Sequence, residues 1–168
     1  MKKLLLVLAI VGGTAFSSFA QSSGPADAPK FSVGVEAGLP IGNIKNGYNF
    51  VIGGSLKYEL PIAESTMFTI SAGYNSFLAK SEFKDIGGES AGFIPVKAGI
   101  KYYLNQGFFA EGQLGAAFGT KSGEGTAFAY SPGIGYTFDG GFEAGVRYEG
   151  WSHDGTVSQI GLRLAYRF

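Results

Sequence analysis

The chain has no cysteine, one histidine and one tryptophan among its 168 residues. Without cysteine there can be no disulfide framework, thiolate metal site, cysteine nucleophile or lipid-modified N-terminal cysteine. Charge is also scarce, and 13 basic residues balance 13 acidic ones. Nucleic-acid binding needs a basic excess, so that class of partner is not expected.

Two residue classes are abundant instead: 28 glycines, and 15 Phe with 9 Tyr. Glycine weakens strands and helices, whereas aromatic rings need a place to be buried. The combination is unusual for a soluble domain. The length corresponds to one domain.

The first residues have the layout of an export signal. Lys2 and Lys3 precede an apolar run over residues 4–11, and Ser18-Phe19-Ala20 forms a small-x-small cleavage site. We therefore predict a signal peptide over residues 1–20, a polar periplasmic lead-in over residues 21–29 and one domain over residues 30–168. The alternative is a retained membrane anchor, although a spanning helix needs about 20 apolar residues.

From Lys30 onward, apolar and small or polar residues alternate with period two in eight segments, and no segment shows a helical period. Short connections follow the second, fourth and sixth segments, at residues 61–66, 105–107 and 139–141. The other connections are mostly longer, and residues 79–91 form the longest. Transmembrane barrels have this asymmetry between tight periplasmic turns and larger outer loops.

The aromatic face is predicted to point outward into lipid. Eight strands enclose a lumen that side chains just fill, and the apolar face carries more than a dozen rings, which is too much volume for that space. A lipocalin-like soluble barrel, with its apolar face inside, is the alternative. In lipid the sheet must also close, because open strand edges leave backbone groups unpaired.

Outward rings are expected at both ends of the strands, as two interfacial girdles. The alternative is that aromatic residues simply favour strands. The predicted periplasmic girdle is Phe31, Tyr58, Phe68, Tyr102, Phe108, Phe138, Phe142 and Phe168. The predicted outer girdle is Tyr48, Phe50, Tyr74, Phe118, Phe128, Tyr130 and Tyr148.

The last segment ends in Phe168, preceded at every second position by Tyr166, Leu164, Leu162 and Ile160. This pattern resembles the C-terminal assembly signal of bacterial outer-membrane proteins. With residues 145–149, it is similar to the porin-family barrel domains common in Bacteroidota, of OmpA and OmpX size. The resemblance implies an all-β, eight-stranded antiparallel up-and-down transmembrane β-barrel in the outer membrane of a Gram-negative cell. It further implies lipid, lipopolysaccharide, periplasmic chaperones and the barrel-assembly machinery as partners, a monomer, and no cofactor or metal.

Charged residues on the inward face are expected to form a structural network, because buried charges must be paired or hydrated. A functional ion path or ligand site is the alternative. The turn at residues 105–107 brings Lys101 opposite Glu111, which predicts a salt bridge between them. The inward charges are Glu36, Lys57, Glu59, Lys97, Lys101, Glu111, Glu143, Arg147, Glu149, Arg163 and Arg167. Five inward aromatic residues are either plugs of the lumen or signs of a misassigned register: Phe77, Phe93, Tyr103, Phe109 and Trp151.

Ser152 and His153 are weak catalytic candidates in the last outer loop. Lipid A deacylases of the outer membrane use a Ser/His pair, but their histidine lies two residues before the serine, where this chain has Gly150. A polar loop that turns at Asp154-Gly155 is the simpler interpretation. The expected function is therefore a non-enzymatic role in envelope integrity or surface interaction. A lipid A-modifying enzyme and a narrow ion-conducting pore are the alternatives.

Overall fold

The computed structural model describes residues 28–121, 125–153 and 155–168. The predicted signal peptide, most of the lead-in and Asp154 lie outside these residues. Eight strands account for most of the described chain. They are β1 (Lys30–Ile41), β2 (Tyr48–Ala63), β3 (Thr66–Ala79), β4 (Ala91–Tyr103), β5 (Phe108–Gly119), β6 (Thr126–Thr137), β7 (Phe142–Ser152) and β8 (Thr156–Arg167).

The strands pair in sequence order, all antiparallel, and β8 closes on β1 from Ser32↔Arg167 to Ile41↔Ser158. The predicted eight-stranded up-and-down barrel is confirmed. Closure leaves neither edge of the sheet open, as a sheet in lipid requires, because an open edge would leave backbone N–H and C=O groups unpaired. Two short helical segments, which the sequence did not predict, lie in the connections: a 3-10 turn at Gly42–Asn46 and the helix α1 at Ser81–Asp85.

The connections separate the barrel into a turn end, with residues 64–65, 104–107 and 138–141, and a loop end, with residues 42–47 and 80–90 and the described residues 120, 121, 125, 153 and 155. One expectation about them is wrong. The first turn is two residues long rather than spanning residues 61–66, because Pro61 and Ala63 still pair with β3. The last connection is as tight as the turns, because Ser152 still pairs with Thr156.

Prolines interrupt two of the ladders. The β6–β7 register lacks its pair at Pro132 opposite Tyr148, and the β3–β4 register lacks its pair at Pro95 opposite Gly73. Both positions are hydrogen-bonded pairs in the alternation of each ladder. Because proline has no N–H, the carbonyls of Tyr148 and Gly73 lose their ladder donor.

Glycine also permits close approach of the strands. A Cβ on Gly115 of β5 would lie 2.0 Å from the Val96 carbonyl oxygen of β4. Because Gly115 has no side chain, the barrel wall projects little into the lumen at this point, which leaves room along the axis for the long charged side chains of other strands.

Candidate functional site in the barrel lumen

All eleven charged residues predicted to face the lumen lie inside the barrel. Lys101 and Glu59 are fully buried, and most of the others are under 10% exposed. Charges this deeply buried need partners. They form two groups of ion pairs, one nearer each end of the barrel.

The group nearer the turn end is centred on two lysines. Lys57 Nζ lies 3.0 Å from Glu143, 3.2 Å from Glu111 and 3.2 Å from Glu59. Lys101 Nζ lies 2.9 Å from Glu59 and also binds Glu143. Most of these pairs join strands that are not neighbours in the sheet: Glu143 of β7, for example, binds Lys57 of β2 and Lys101 of β4.

The predicted salt bridge between Lys101 and Glu111 is wrong, although their register is as expected. The two residues are Cα partners across β4 and β5, but Lys101 pairs with Glu59 and Glu143, whereas Glu111 pairs with Lys57. In a narrow barrel, long side chains extend toward the axis, where the opposite wall is within reach. The register of neighbouring strands therefore predicts where a lumenal side chain lies, but not which side chain it pairs with.

The group nearer the loop end joins the first group through Arg163, whose Nε lies 3.9 Å from Glu36. Arg147 pairs with Glu36 and lies 3.3 Å from Glu149, which also binds Lys97. Arg163 Nη1 donates to Glu143 at 3.3 Å, and its other nitrogens donate to Ser55 Oγ at 2.9 Å and Ser32 Oγ at 3.1 Å. One connected network of charges therefore fills the middle of the lumen.

Neutral polar residues complete this layer, and sequence reasoning did not select them as site residues. Gln113 Nε2 donates to Thr69 Oγ1 at 3.1 Å, and Ser71 Oγ donates to Gln113 Oε1 at 3.3 Å. Their inward positions follow from the alternation. Their partners depend on the curvature of the barrel, which the alternation does not encode.

An aromatic plug closes the loop end of the lumen. The ring of Phe77 lies 5.3 Å from Trp151, 5.9 Å from Phe93 and 5.8 Å from Tyr48, in edge-to-face contacts. Val51, Ala117 and Ala129 pack with the plug and are at most 2% exposed. Of the two interpretations of the inward aromatics, the structure shows the plug.

The expected place of Tyr48 in the outer girdle is wrong. A register shift lies between Tyr48, which pairs with Ala79, and Phe50, which pairs with Leu78. The extra residue reverses the side on which Tyr48 points, so its ring covers the plug and also contacts Phe83 at 5.6 Å. Phe50 and Tyr74 remain exposed on the outer face.

The turn end of the lumen is bounded by a second aromatic pair. Tyr103 and Phe109 lie 5.9 Å apart, and Lys101 Nζ lies 4.0 Å from the Phe109 ring centre. Beyond this pair the lumen opens into a cavity of about 940 Å³, which we call the vestibule. Its walls include Lys30, Arg167 and the turn residues Asn105 and Gln106.

The two catalytic candidates do not form a hydrogen-bonded pair. The Ser152 hydroxyl lies 3.1 Å from Thr156 Oγ1, across the β7–β8 turn, and the exposed His153 donates its backbone N–H to the Gly155 carbonyl at 2.9 Å. Among the described residues, no group of His, Cys, Asp or Glu could hold a metal ion.

One ion pair links two loops outside the barrel wall. Lys121 donates a hydrogen bond to Glu89, and this contact holds the pKa of the Glu89 carboxyl below its usual range. The side chains of both residues are exposed, so solvent screens the pair.

The outer face of the barrel is apolar over its height. Val35, Leu114 and Phe142 are 59% to 64% exposed, and Tyr102 and Phe138 are half exposed near the turn end. A band of this size on a monomer would be unstable in water, whereas a bilayer solvates it. A closed barrel with a charged lumen and an apolar exterior is a transmembrane β-barrel. In the described residues, no helix is long and apolar enough to span a membrane.

The family follows from the sequence. The model of the outer membrane protein beta-barrel domain matches residues 6–168, and the chain belongs to this family. It is accordingly an outer-membrane β-barrel protein. A comparison with curated proteins found no match.

Solved structures share the fold at low identity. The attachment invasion locus protein Ail of Yersinia pestis is 20% identical, with a TM-score of 0.59 over 83% of this chain and 97% of Ail. The N-terminal β-barrel domain of Pseudomonas aeruginosa OprF is 12% identical, with a TM-score of 0.60 over 83% of this chain and 97% of that domain. A designed transmembrane β-barrel is 14% identical, with a TM-score of 0.55 over 88% and 100% of the two chains.

Proposed function

We propose that the chain is a non-enzymatic, non-conducting barrel that contributes to envelope integrity or presents its loops to the surroundings. One observation carries the proposal: the lumen is filled by the charge network and by the aromatic plug. Lys101 and Glu59 are completely buried, and Phe77 and Trp151 are at most 2% exposed. Ion conduction needs a continuous wet path, and this packing supports a closed barrel.

Recording from planar lipid bilayers tests the proposal against the narrow pore. Purified full-length protein should give no stepwise conductance, while a wide porin added to the same membrane confirms that the assay detects channels. Reproducible single-channel steps from the protein would refute a closed lumen.

Mass spectrometry of lipid A tests the proposal against the enzyme. Cells that express the chain should have the same lipid A acylation as cells that express a Ser152→Ala variant and cells that lack the chain. Loss of an acyl chain with the unchanged sequence, but not with Ser152→Ala, would establish the deacylase alternative.

The proposal extends to export and assembly. The turn end then lies in the periplasm, and the barrel is a monomer. Its partners are lipid, lipopolysaccharide, periplasmic chaperones and the assembly machinery. Cleavage after Ala20 predicts that protein purified from the outer membrane begins at Gln21 and has the mass of residues 21–168. If Phe168 is part of the assembly signal, Phe168→Ala should lower the amount of folded barrel. Phe138→Ala, at an exposed aromatic of the same end that directly follows β6, should lower it less.

A further inference from the structure

The vestibule at the turn end has two cationic side chains in its wall. Lys30 begins β1 and Arg167 ends β8, so closure of the barrel brings them to the same cavity. The Lys30 ammonium makes no ion pair within the described residues. Arg167 Nε lies 3.3 Å from Glu59 Oε2, and the guanidinium donates no hydrogen bond to a described residue.

The charge balance of the lumen leaves these cations undercompensated. Among the described lumenal residues, six cationic side chains face five carboxylates. Glu59 is within 3.3 Å of Lys57, Lys101 and Arg167 and cannot neutralise all three. A net positive charge in a protein surrounded by lipid is costly, and an anion drawn from the open end would offset it.

The remaining wall offers hydrogen-bond donors and adequate space. Asn105 Oδ1 accepts from the backbone N–H groups of Gly107 and Phe108, which leaves its NH₂ group as a donor. Ser65 and Gln106 line the same cavity, and Asp139 is its one carboxylate among the described residues. A volume of about 940 Å³ is within the range of small-molecule sites.

We propose that the vestibule is a binding site for a small oxyanion, a carboxylate or a phosphate, held between Lys30 and Arg167. The Arg167 guanidinium supplies a planar donor edge that suits such a group, and Lys30 supplies a mobile point charge. This site goes beyond the proposed structural role, because a closed barrel needs no ligand at its periplasmic mouth.

NMR titration of the full-length barrel tests the site. Dodecyl maltoside micelles are suitable because their head group carries no charge. Inorganic phosphate and citrate are added in separate series at constant ionic strength, and backbone amides of residues 106, 140 and 141 are followed. Saturable shifts are expected with at least one of the two anions. The series that saturates at the lower concentration distinguishes a phosphate site from a carboxylate site.

Variants make the result specific. Lys30→Gln and Arg167→Gln should each weaken binding by about tenfold or more, because each removes a charge-assisted contact. Lys45→Gln, which removes an exposed lysine at the loop end, is the matched control and should bind as the unchanged chain does. If Arg167→Gln fails to fold, Lys30→Gln still decides, because Lys30 is outside the ion-pair network. The site would be overturned if neither anion gave saturable shifts, or if Lys30→Gln bound the anion as tightly as the unchanged chain does.

Discussion

At the scale of single residues, Glu143 neutralises three cations of the charge network. Its carboxylate accepts hydrogen bonds from Lys57, Lys101 and Arg163, and it is 4% exposed. Glu143→Gln should destabilise the barrel by about 3–5 kcal/mol, because it leaves buried cations without their counter-charge. Urea unfolding in lipid vesicles measures this loss.

The control for that experiment is Glu89→Gln in the exposed pair with Lys121. Solvent screens this pair, so its loss should leave the unfolding midpoint unchanged. Equal effects of the two substitutions would mean that water already hydrates the charges of the lumen.

Trp151 reports directly on the orientation of the two faces. It is the single tryptophan of the chain, and its ring is 2% exposed inside the plug. Brominated lipids should therefore quench its fluorescence only weakly. Leu114→Trp, placed in a Trp151→Phe background, should be quenched strongly, since Leu114 is 59% exposed on the outer face. Strong quenching of Trp151 itself would contradict the assignment of the inward face.

At the scale of strands, the proline interruptions predict where the ladder can be repaired. Phe138 donates to the Phe142 carbonyl at 2.7 Å, so the even-numbered residues of β6 bond to β7. Pro132→Ala would supply the missing donor to the Tyr148 carbonyl. The new amide at position 132 should exchange with deuterium as slowly as those of Tyr130 and Ile134.

Pro95→Ala offers a second case of the same repair, in which the new amide would donate to the Gly73 carbonyl of β3. Rapid exchange at both new amides would show that the missing N–H is not the sole cause of the interruption, and that the strands themselves lie too far apart at these points to form the hydrogen bond.

The alternation predicted the strands well, because a residue's face depends only on its parity within a strand. It failed for Tyr48, where one extra residue changed the parity, and for residues 61–66, of which all but residues 64 and 65 belong to strands. Both errors lie at the ends of β2, where bulges and turns depend on the pairing with the neighbouring strand.

At the scale of the whole molecule, the apolar exterior predicts that folding needs an amphiphile. Residues 21–168 should give a β-type circular dichroism spectrum in detergent micelles and migrate differently on gels before and after boiling. In plain buffer the same chain should aggregate, because neither lipid nor detergent is present to cover its exposed apolar band. A soluble monomer in buffer would contradict the membrane assignment.

The architecture could be predicted from the sequence because eight alternating segments with short turns allow few topologies. The composition of the lumen was predictable for the same reason. The pairing of Lys101 and the vestibule were not predictable, since both depend on how far side chains reach across the barrel, which closure of the sheet determines.

The network has a further consequence for the order in which the protein forms. Arg147 and Glu36 are separated by 111 residues, and Arg163 and Ser32 by 131. No single hairpin contains both partners, so a partly formed sheet holds unneutralised charges that keep it hydrated. Arg147 can reach Glu36, and Arg163 can reach Ser32, only when the first and last strands join. Closure and dehydration of the interior should therefore occur in a single cooperative step, and half-built sheets should not accumulate in the membrane.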